Sequence, residues 1–327
     1  MPKPQEQDDA LDALITGGGP AGLTAAVYLA RFKRRFLVVD GGSPRAAWIP
    51  KSHNIPLFGD CIPGPEILRR ARAATERYGV RLLDGLVTGL RKQPGGTGFL
   101  AILEQKGSGA ARQLRAKRVL LATGAVDVEP ELPDLTDAVR RGLVRYCPIC
   151  DGYESRDQRL AVIGHGDRGL AEAEFIALTY SDDVTLLTLG QPMELDDARR
   201  ERARRQRIRI VEAPIAALEV QGDRIAAIRT GGGERYRFDV LYSALGLKYR
   251  SDLGTALGAR HDPSGALVVD GHCQTTVRGL YAAGDIVRGV DQIVVGMGHA
   301  ALAATHIHNR CDLPLEEEGG EVGSGRS

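Results

Sequence analysis

Apolar runs, glycine clusters and amphipathic stretches alternate along the first part of the chain. Residues 13–16 form a short apolar run that enters a glycine cluster. Residues 23–31 place apolar side chains at helical spacing, and residues 36–40 form a second apolar run that ends in an acid. This order is typical of a strand, a turn, a helix and a second strand. The pattern therefore predicts the opening of a βαβ unit.

The same order of elements returns in the middle of the chain. It comprises a predicted strand at 160–163, a glycine turn at 164–169, a helix at 170–180 and a strand at 184–187. Two similar strand ends, Leu-Leu-Ala-Thr-Gly and Tyr-Ser-Ala-Leu-Gly, follow the first and second glycine turns. This repeat predicts an α/β fold with two Rossmann-like, three-layer dinucleotide-binding domains, the second inserted in the first. The predicted parts are 1–124 (first domain), 125–244 (inserted domain), 245–311 (first domain again) and 312–327 (a disordered tail rich in glycine and charge).

Composition and charge narrow the classes of function. The 327 residues carry a formal net charge of +1 and are 43% hydrophobic, so neither a nucleic-acid partner nor an anionic membrane surface is expected. No apolar run reaches the roughly 18–20 residues that span a bilayer. The first residues are polar and acidic rather than a secretory signal, so we expect a cytoplasmic protein.

The first glycine turn has the pattern of a phosphate-binding turn. Gly17 permits the tight turn, Gly19 lets a pyrophosphate approach the backbone, and Gly22 allows close packing of helix on strand. Asp40 follows at a predicted strand end, where a carboxylate can accept hydrogen bonds from the ribose hydroxyls of adenosine. The predicted dinucleotide site at this turn consists of Gly17, Gly19, Pro20, Ala21, Gly22 and Asp40.

Two cysteines lie in a Cys-Pro-Ile-Cys-Asp-Gly stretch. A CxxC turn closes a small disulfide that opens easily, and one of its thiols has a lowered pKa, so we predict that Cys147 and Cys150 are a redox pair. Asp151 can move protons as thiolates form and are consumed. A zinc site would need two further ligands, and the sequence has no second CxxC and no HxxxH, so no metal is expected.

These motifs together resemble the low-molecular-weight, bacterial-type thioredoxin reductases over about residues 11–310. The resemblance rests on the Cys-Pro-Ile-Cys-Asp-Gly stretch, the opening glycine turn, the Ala-Thr-Gly strand end at 122–124 and the Gly-Leu-Tyr-Ala-Ala-Gly-Asp stretch at 279–285. It implies that the first domain binds FAD, that Cys150 lies nearer the flavin and that Cys147 exchanges with the substrate. A thioredoxin-like protein or a small dithiol or disulfide would be the substrate, and the family precedent is a homodimer.

The resemblance also assigns further FAD contacts. Asp285 would contact the ribityl or phosphate region, Gln292 and Ile293 would offer backbone N–H groups to the flavin pyrimidine, and Asn54 would lie near the isoalloxazine. Around Asn54 the chain departs from the family's usual Asn-aromatic-Pro-Gly, because it reads Asn-Ile-Pro-Leu. The further FAD residues implied are Asn54, Ala122, Thr123, Gly124, Gly284, Asp285, Gln292 and Ile293.

The second nucleotide site departs further from the family. Gly164, Gly166 and Gly169 still allow a phosphate turn for NAD(P), but the following strand ends in Thr-Leu-Gly-Gln where the family has the cations that bind the 2′-phosphate of NADPH. Either the next helix replaces these cations, or its charged face is only solvated. The candidate replacements are Arg199, Arg200, Arg202, Arg204 and Arg205.

Three functions therefore remain open, and use of NADPH is uncertain. The first is a thioredoxin-reductase-like enzyme in which reduced nicotinamide supplies electrons that leave through the cysteines to a disulfide. The second resembles the gliotoxin- and holomycin-type dithiol oxidases, which lack a working NADPH site and pass electrons from a dithiol to oxygen. The third is a flavoprotein redox sensor, which the intact cysteine motif disfavours.

Overall fold

The computed structural model describes residues 10–59, 61–107, 111–131, 135–222 and 224–315. The strands are β1 (Leu11–Thr16), β2 (Phe36–Asp40), β3 (Leu82–Lys92), β4 (Phe99–Gln105), β5 (Ala111–Leu121), β6 (Ala125–Asp127), β7 (Val144–Arg145), β8 (Leu160–Ile163), β9 (Val184–Leu187), β10 (Arg209–Val211), β11 (Ile215–Gln221), β12 (Arg224–Thr230), β13 (Arg235–Tyr236), β14 (Val240–Ser243), β15 (Leu247–Tyr249) and β16 (Leu280–Ala282). The α-helices are α1 (Pro20–Arg31), α2 (Gly64–Glu76), α3 (Leu135–Arg140), α4 (Pro148–Asp151), α5 (Gly166–Thr179), α6 (Asp197–Arg205), α7 (Asp252–Thr255) and α8 (Ile293–Arg310). Short 3-10 helices lie at Arg45–Trp48, Pro56–Phe58, Pro94–Gly96 and Tyr153–Ser155.

The first compact unit contains the described residues of 10–47, 65–126 and 248–315. Its central strand β1 pairs in parallel with β2 on one side and with β5 on the other, and β16 pairs in parallel with β5. The 11-residue strands β3 and β5 continue beyond the parallel sheet, where both pair antiparallel with β4. The glycine turn and Asp40 therefore lie at the carboxyl edge of a parallel sheet.

Apolar side chains cover both faces of this sheet. On one face Ala25 and Leu29 of α1 share a buried cluster with Ala300 and Ala303 of α8. On the other face Leu14 of β1 packs with residues of β4, β5 and β16. The central strands are buried on both faces, which is why they read as continuous apolar runs in the sequence.

The second unit contains residues 48–64 and 127–247 where they are described. Its parallel sheet has the order β10-β9-β8-β14-β7. Helix α5 packs on one face through Leu170, Ala173 and Ile176. The antiparallel sheet β11-β12-β13 contributes Ile225 and Ile228 to the cluster on the other face. Each unit is thus layered around a parallel sheet, and the predicted α/β fold with an inserted second domain is confirmed.

The compact units change over after residues 126 and 247, whereas the predicted boundaries follow residues 124 and 244, and one earlier segment is also assigned differently. Residues 48–64 belong to the second unit, although the predicted first domain ran unbroken to 124. The reason lies in backbone contacts of this segment, because the His53 amide donates to the Cys150 carbonyl at 3.4 Å. A two-stranded sheet pairs β6 with β15.

The predicted tail begins inside ordered contacts of the first unit. Asp312 accepts a hydrogen bond from Arg34 at 2.9 Å, and Leu315 is buried. Residues 316–327 lie outside the described residues. Among the helices of the described chain, none is long and apolar enough to cross a lipid bilayer.

Candidate active site

The first glycine turn forms the link between β1 and α1. Gly17 has a φ of 112°, and a Cβ there would collide with the Ala122 carbonyl at the end of β5. A Cβ on Gly22 would collide with the Gly17 carbonyl. Pro20 is the first residue of α1, and Gly19 is its N-cap in extended conformation. Only glycine fits at Gly17 and Gly22, and the helix N-terminus is left open to an anion.

Asp40 is buried at the end of β2. One carboxylate oxygen accepts hydrogen bonds from the amides of Gly18 at 3.2 Å and Gly42 at 3.1 Å, and the other accepts from Arg72 at 2.8 Å. A carboxylate has about four lone-pair positions, so one remains for a ribose hydroxyl. Arg72 lies on α2, and its contact with Asp40 could not be predicted from the sequence, because the two residues belong to different elements.

The end of β16 lies against the same turn. A Cβ on Gly284, which has a φ of 83°, would lie 3.1 Å from the Ala21 side chain. The next residue, Asp285, forms an ion pair with Arg45 at 3.2 Å. Arg45 was not predicted either. A cation beside a predicted phosphate contact can form charge-assisted hydrogen bonds with a phosphate. Gln292 is the N-cap of α8 and Ile293 its first residue.

The predicted FAD residues of the first unit therefore meet at one sheet edge. Thr123 donates from its hydroxyl to the Arg250 carbonyl at 2.6 Å, and Gly124 follows with a φ of 68°. Glycines without room for a side chain, two acids and two arginines fit a dinucleotide with a ribose and a pyrophosphate. Asn54 is the exception, because it lies in the second unit.

The redox pair lies in a short turn of the second unit. Cys147 and Cys150 form a disulfide with their Cα atoms 5.3 Å apart. Cys147 is the N-cap of α4, Pro148 begins the helix, and the Cys150 amide donates to the Cys147 carbonyl at 3.0 Å. Asn54 is placed beside this turn, since its amide nitrogen donates to the Ile149 carbonyl at 3.5 Å. Both cysteines are half-buried.

Asp151 ends α4, and its side chain is half-buried among polar groups. The Tyr242 hydroxyl donates to its Oδ1 at 3.0 Å, and the Arg145 guanidinium lies 3.5 Å from its Oδ2. Burial raises the pKa of the Asp151 carboxyl above its usual range, and the Arg145 charge and the Tyr242 hydrogen bond oppose that rise. A carboxyl whose pKa is raised in this way takes up a proton more readily than an exposed aspartate, which suits it to proton exchange with a thiol.

The second glycine turn keeps the backbone geometry of a nucleotide-binding turn, but the amide that would bind a phosphate contacts a side chain of the protein instead. Gly164 and Gly169 lie so close that a Cβ on either would collide with the other, and Gly166 has a φ of 59°. The Gly166 amide points to the sulfur of Met193 at 3.2 Å, and Met193 is buried. An amide in that position would contact the pyrophosphate of a bound nucleotide.

The residues beyond this turn show where the candidate cations lie. Thr188 is fully buried, so no cation can replace it without disturbing the sheet. Each of the five arginines suggested as replacements already pairs with another residue of this chain. This agrees with the interpretation that the charged face of α6 is only solvated. Arg199 pairs with Asp167 and Asp196, Arg202 with Glu174, Arg204 and Arg205 with Glu201, and Arg200 donates to the Leu195 carbonyl.

Substitution of Asp40 tests the proposed ribose contact. We expect Asp40→Asn to release flavin about tenfold to a hundredfold more readily, because charge-assisted hydrogen bonds of about 1.5–3 kcal/mol become neutral ones. Flavin release is measured by fluorescence after dilution. Asp84→Asn is the control, because Asp84 is an exposed acid that pairs only with Lys106 in the described contacts. Equal retention in both variants would contradict the assignment.

Comparison with known proteins agrees with this arrangement. The family model described as pyridine nucleotide-disulphide oxidoreductase matches residues 11–305. A thioredoxin reductase of Streptomyces coelicolor is 32% identical over 291 residues, which cover 85% of this chain and 87% of that protein. HlmI has a crystal structure with a TM-score of 0.83 at 28% identity, covering 95% of both chains. The thioredoxin reductase of Streptococcus pyogenes gives a TM-score of 0.81 at 25% identity, covering 95% of this chain and 99% of that one.

The family model matches nearly the whole chain, and the structure contains both the disulfide and the two glycine turns of such a protein. The chain belongs to the pyridine nucleotide-disulphide oxidoreductase family, and it is a flavin-dependent disulfide oxidoreductase similar to thioredoxin reductases.

Proposed function

We propose that the protein binds FAD and oxidises a dithiol substrate through Cys147–Cys150, with oxygen as the final electron acceptor. The observation that carries this proposal is the state of the second nucleotide turn. Its Gly166 amide faces the Met193 sulfur, and Asp167, in the first turn of α5, pairs with Arg199. A carboxylate at the start of α5 repels the phosphates of NADPH. The strand that follows ends in Thr188 and Leu189, where the resemblance would require cations for the 2′-phosphate.

The exchange itself needs only groups of this chain. A substrate thiolate attacks the Cys147 sulfur, the Cys147–Cys150 bond breaks, and Cys150 leaves as a thiolate. The second substrate thiolate then attacks the substrate sulfur of the mixed disulfide and releases Cys147. The substrate leaves as a disulfide, two protons are released, and Asp151 is the carboxyl beside Cys150 that can take one of them. FAD, when bound, supplies the acceptor for the electron pair that the two cysteines then hold.

A second candidate is an NADPH-dependent reductase for a thioredoxin-like protein. The specific observation in its favour is the intact contact between Gly164 and Gly169, which keeps the geometry of a nucleotide turn. The similarity to the Streptomyces coelicolor thioredoxin reductase also supports it. In this case the same cysteines carry electrons in the opposite direction, from the flavin to a substrate disulfide.

The two candidates differ in which reductant, a dithiol or NADPH, can reduce the flavin. Without oxygen, we expect dithiothreitol to bleach the flavin absorbance, and we expect NADPH at the same concentration to leave it unchanged. Readmitting air should restore the absorbance and release hydrogen peroxide, because the electron pair then passes to oxygen. Fast, saturable bleaching by micromolar NADPH would instead establish the reductase and reject the oxidase.

A further inference from the structure

A closed polar network surrounds Asp151 and contains residues that the cysteine motif does not include. The Tyr242 hydroxyl lies 3.0 Å from Asp151 Oδ1 and 3.4 Å from the Ser155 hydroxyl. Arg145 donates to the same Ser155 oxygen at 2.8 Å and to the Asp151 carbonyl at 3.2 Å. All four residues belong to the second unit, so the network is complete within it.

Tyr242 is unusual among the residues of its strand. β14 reads Val-Leu-Tyr-Ser and is buried along its whole length, and the Tyr242 side chain is 0% exposed. A phenylalanine would satisfy the packing of this apolar layer without burying a hydroxyl, whose burial is costly unless it is hydrogen-bonded. The hydroxyl therefore needs a partner, and Asp151 provides it.

The direction of this hydrogen bond is fixed by the chemistry of the two groups. Burial raises the pKa of Tyr242 well above its usual range, so the hydroxyl stays protonated at any pH at which the protein works. It must then donate to Asp151, and donation stabilises the carboxylate relative to the neutral acid. Burial of Asp151 acts in the opposite direction, so the two effects together set the proton affinity of the carboxyl.

We propose that Tyr242 is a positioning residue that fixes the orientation of the Asp151 carboxyl and lowers its proton affinity for thiol–disulfide exchange. This proposal deepens the proposed function and rests on it for the exchange step only. The substrate thiol loses its proton to the Asp151 carboxylate as the thiolate attacks Cys147. The neutral Asp151 can return that proton when a cysteine thiolate is converted to a thiol.

Other charged and titratable groups also face Asp151, and they must be kept constant in any test. The Arg145 cation lowers the pKa of Asp151, and the Glu154 carboxylate raises it. His53 lies 3.4 Å from Glu154 and opposes it. Tyr180 is the matched control for Tyr242, because its ring packs against Gly152 and none of the described hydrogen bonds joins its hydroxyl to Asp151.

The direct test is an infrared titration of the Asp151 carboxyl in the oxidised holoprotein, with the Asp151→Asn variant subtracted. We expect Tyr242→Phe to raise the midpoint by about one pH unit, because one hydrogen bond to the carboxylate is lost. Tyr180→Phe should leave the midpoint unchanged. An unchanged midpoint in Tyr242→Phe, with normal flavin content, would overturn the proposal.

The second readout is anaerobic flavin reduction by dithiothreitol from about pH 5 to about pH 9. On the acid side of the Asp151 midpoint, the Tyr242→Phe rate should be about one tenth of the wild-type rate. On the alkaline side the two rates should become equal. A purely structural role would lower the Tyr242→Phe rate by the same factor at every pH, which would overturn the part assigned to exchange. If dithiothreitol fails to reduce the wild-type flavin, the proposed function is wrong, and the infrared midpoint still decides the role of Tyr242.

Discussion

Replacing either Cys147 or Cys150 by serine is expected to reduce turnover with any dithiol or disulfide to the background rate. The reason is that serine has no sulfur to form the mixed disulfide, and one remaining cysteine cannot accept an electron pair as the disulfide does. Stopped-flow flavin reduction by a dithiol measures the loss. Cys61→Ser is the control, because Cys61 is a half-buried free cysteine of the same unit and should leave the rate unchanged.

The two serine variants should differ in their spectra. We propose that Cys150 is the cysteine nearer the flavin, so Cys147→Ser should leave a Cys150 thiolate that gives a long-wavelength charge-transfer absorbance. Cys150→Ser should lack this absorbance. The opposite pattern would show that the assigned roles are reversed, while loss of turnover in both variants would still support the redox pair.

The second large effect concerns NADPH. We expect its affinity to be lower by roughly two to four orders of magnitude than in a site with two guanidinium contacts to the 2′-phosphate, at about 1.5–3 kcal/mol for each contact. Arg199 cannot compensate without losing Asp167 and Asp196, with which it pairs at 3.1 Å in each case. Flavin reduction without oxygen, measured against NADPH concentration, gives the affinity.

A gain-of-function variant tests the same physical reason. Gln191→Arg adds a cation at an exposed position and Leu189→Arg adds one at a half-buried position, both close to the buried Thr188. Met193→Ala frees the Gly166 amide. We expect the triple variant to show saturable reduction by NADPH. NADH is the control, because it lacks the 2′-phosphate and should benefit only from Met193→Ala. An equal gain with both nucleotides would indicate that the added arginines do not contact the 2′-phosphate.

The sequence predicted those features of the site that depend on local chain geometry. Gly17 and Gly22 could be predicted because a strand, a glycine turn and a helix follow one another directly. The disulfide could be predicted because Cys147 and Cys150 share one turn. The α/β fold with an inserted domain followed from the repeat of the same local pattern.

The partners of the predicted residues could not be found in this way. Arg72 reaches Asp40 from another element, and Arg45 reaches Asp285 across 240 residues of sequence. Tyr242 reads as an ordinary buried strand residue until β14 is placed beside α4. Such contacts depend on the order of strands in a sheet, which the periodicity of a single segment does not contain.

The central claim is that the disulfide and the flavin lie on one path of electron transfer, and a reductive titration tests it most directly. Dithiol is added stepwise to the oxidised holoprotein without oxygen, and free thiols are alkylated at each step and located by mass spectrometry. We predict that about two equivalents are needed to bleach the flavin fully, because the Cys147–Cys150 disulfide takes one electron pair and the flavin another. Full bleaching by about one equivalent, with Cys147 and Cys150 still joined, would contradict the account.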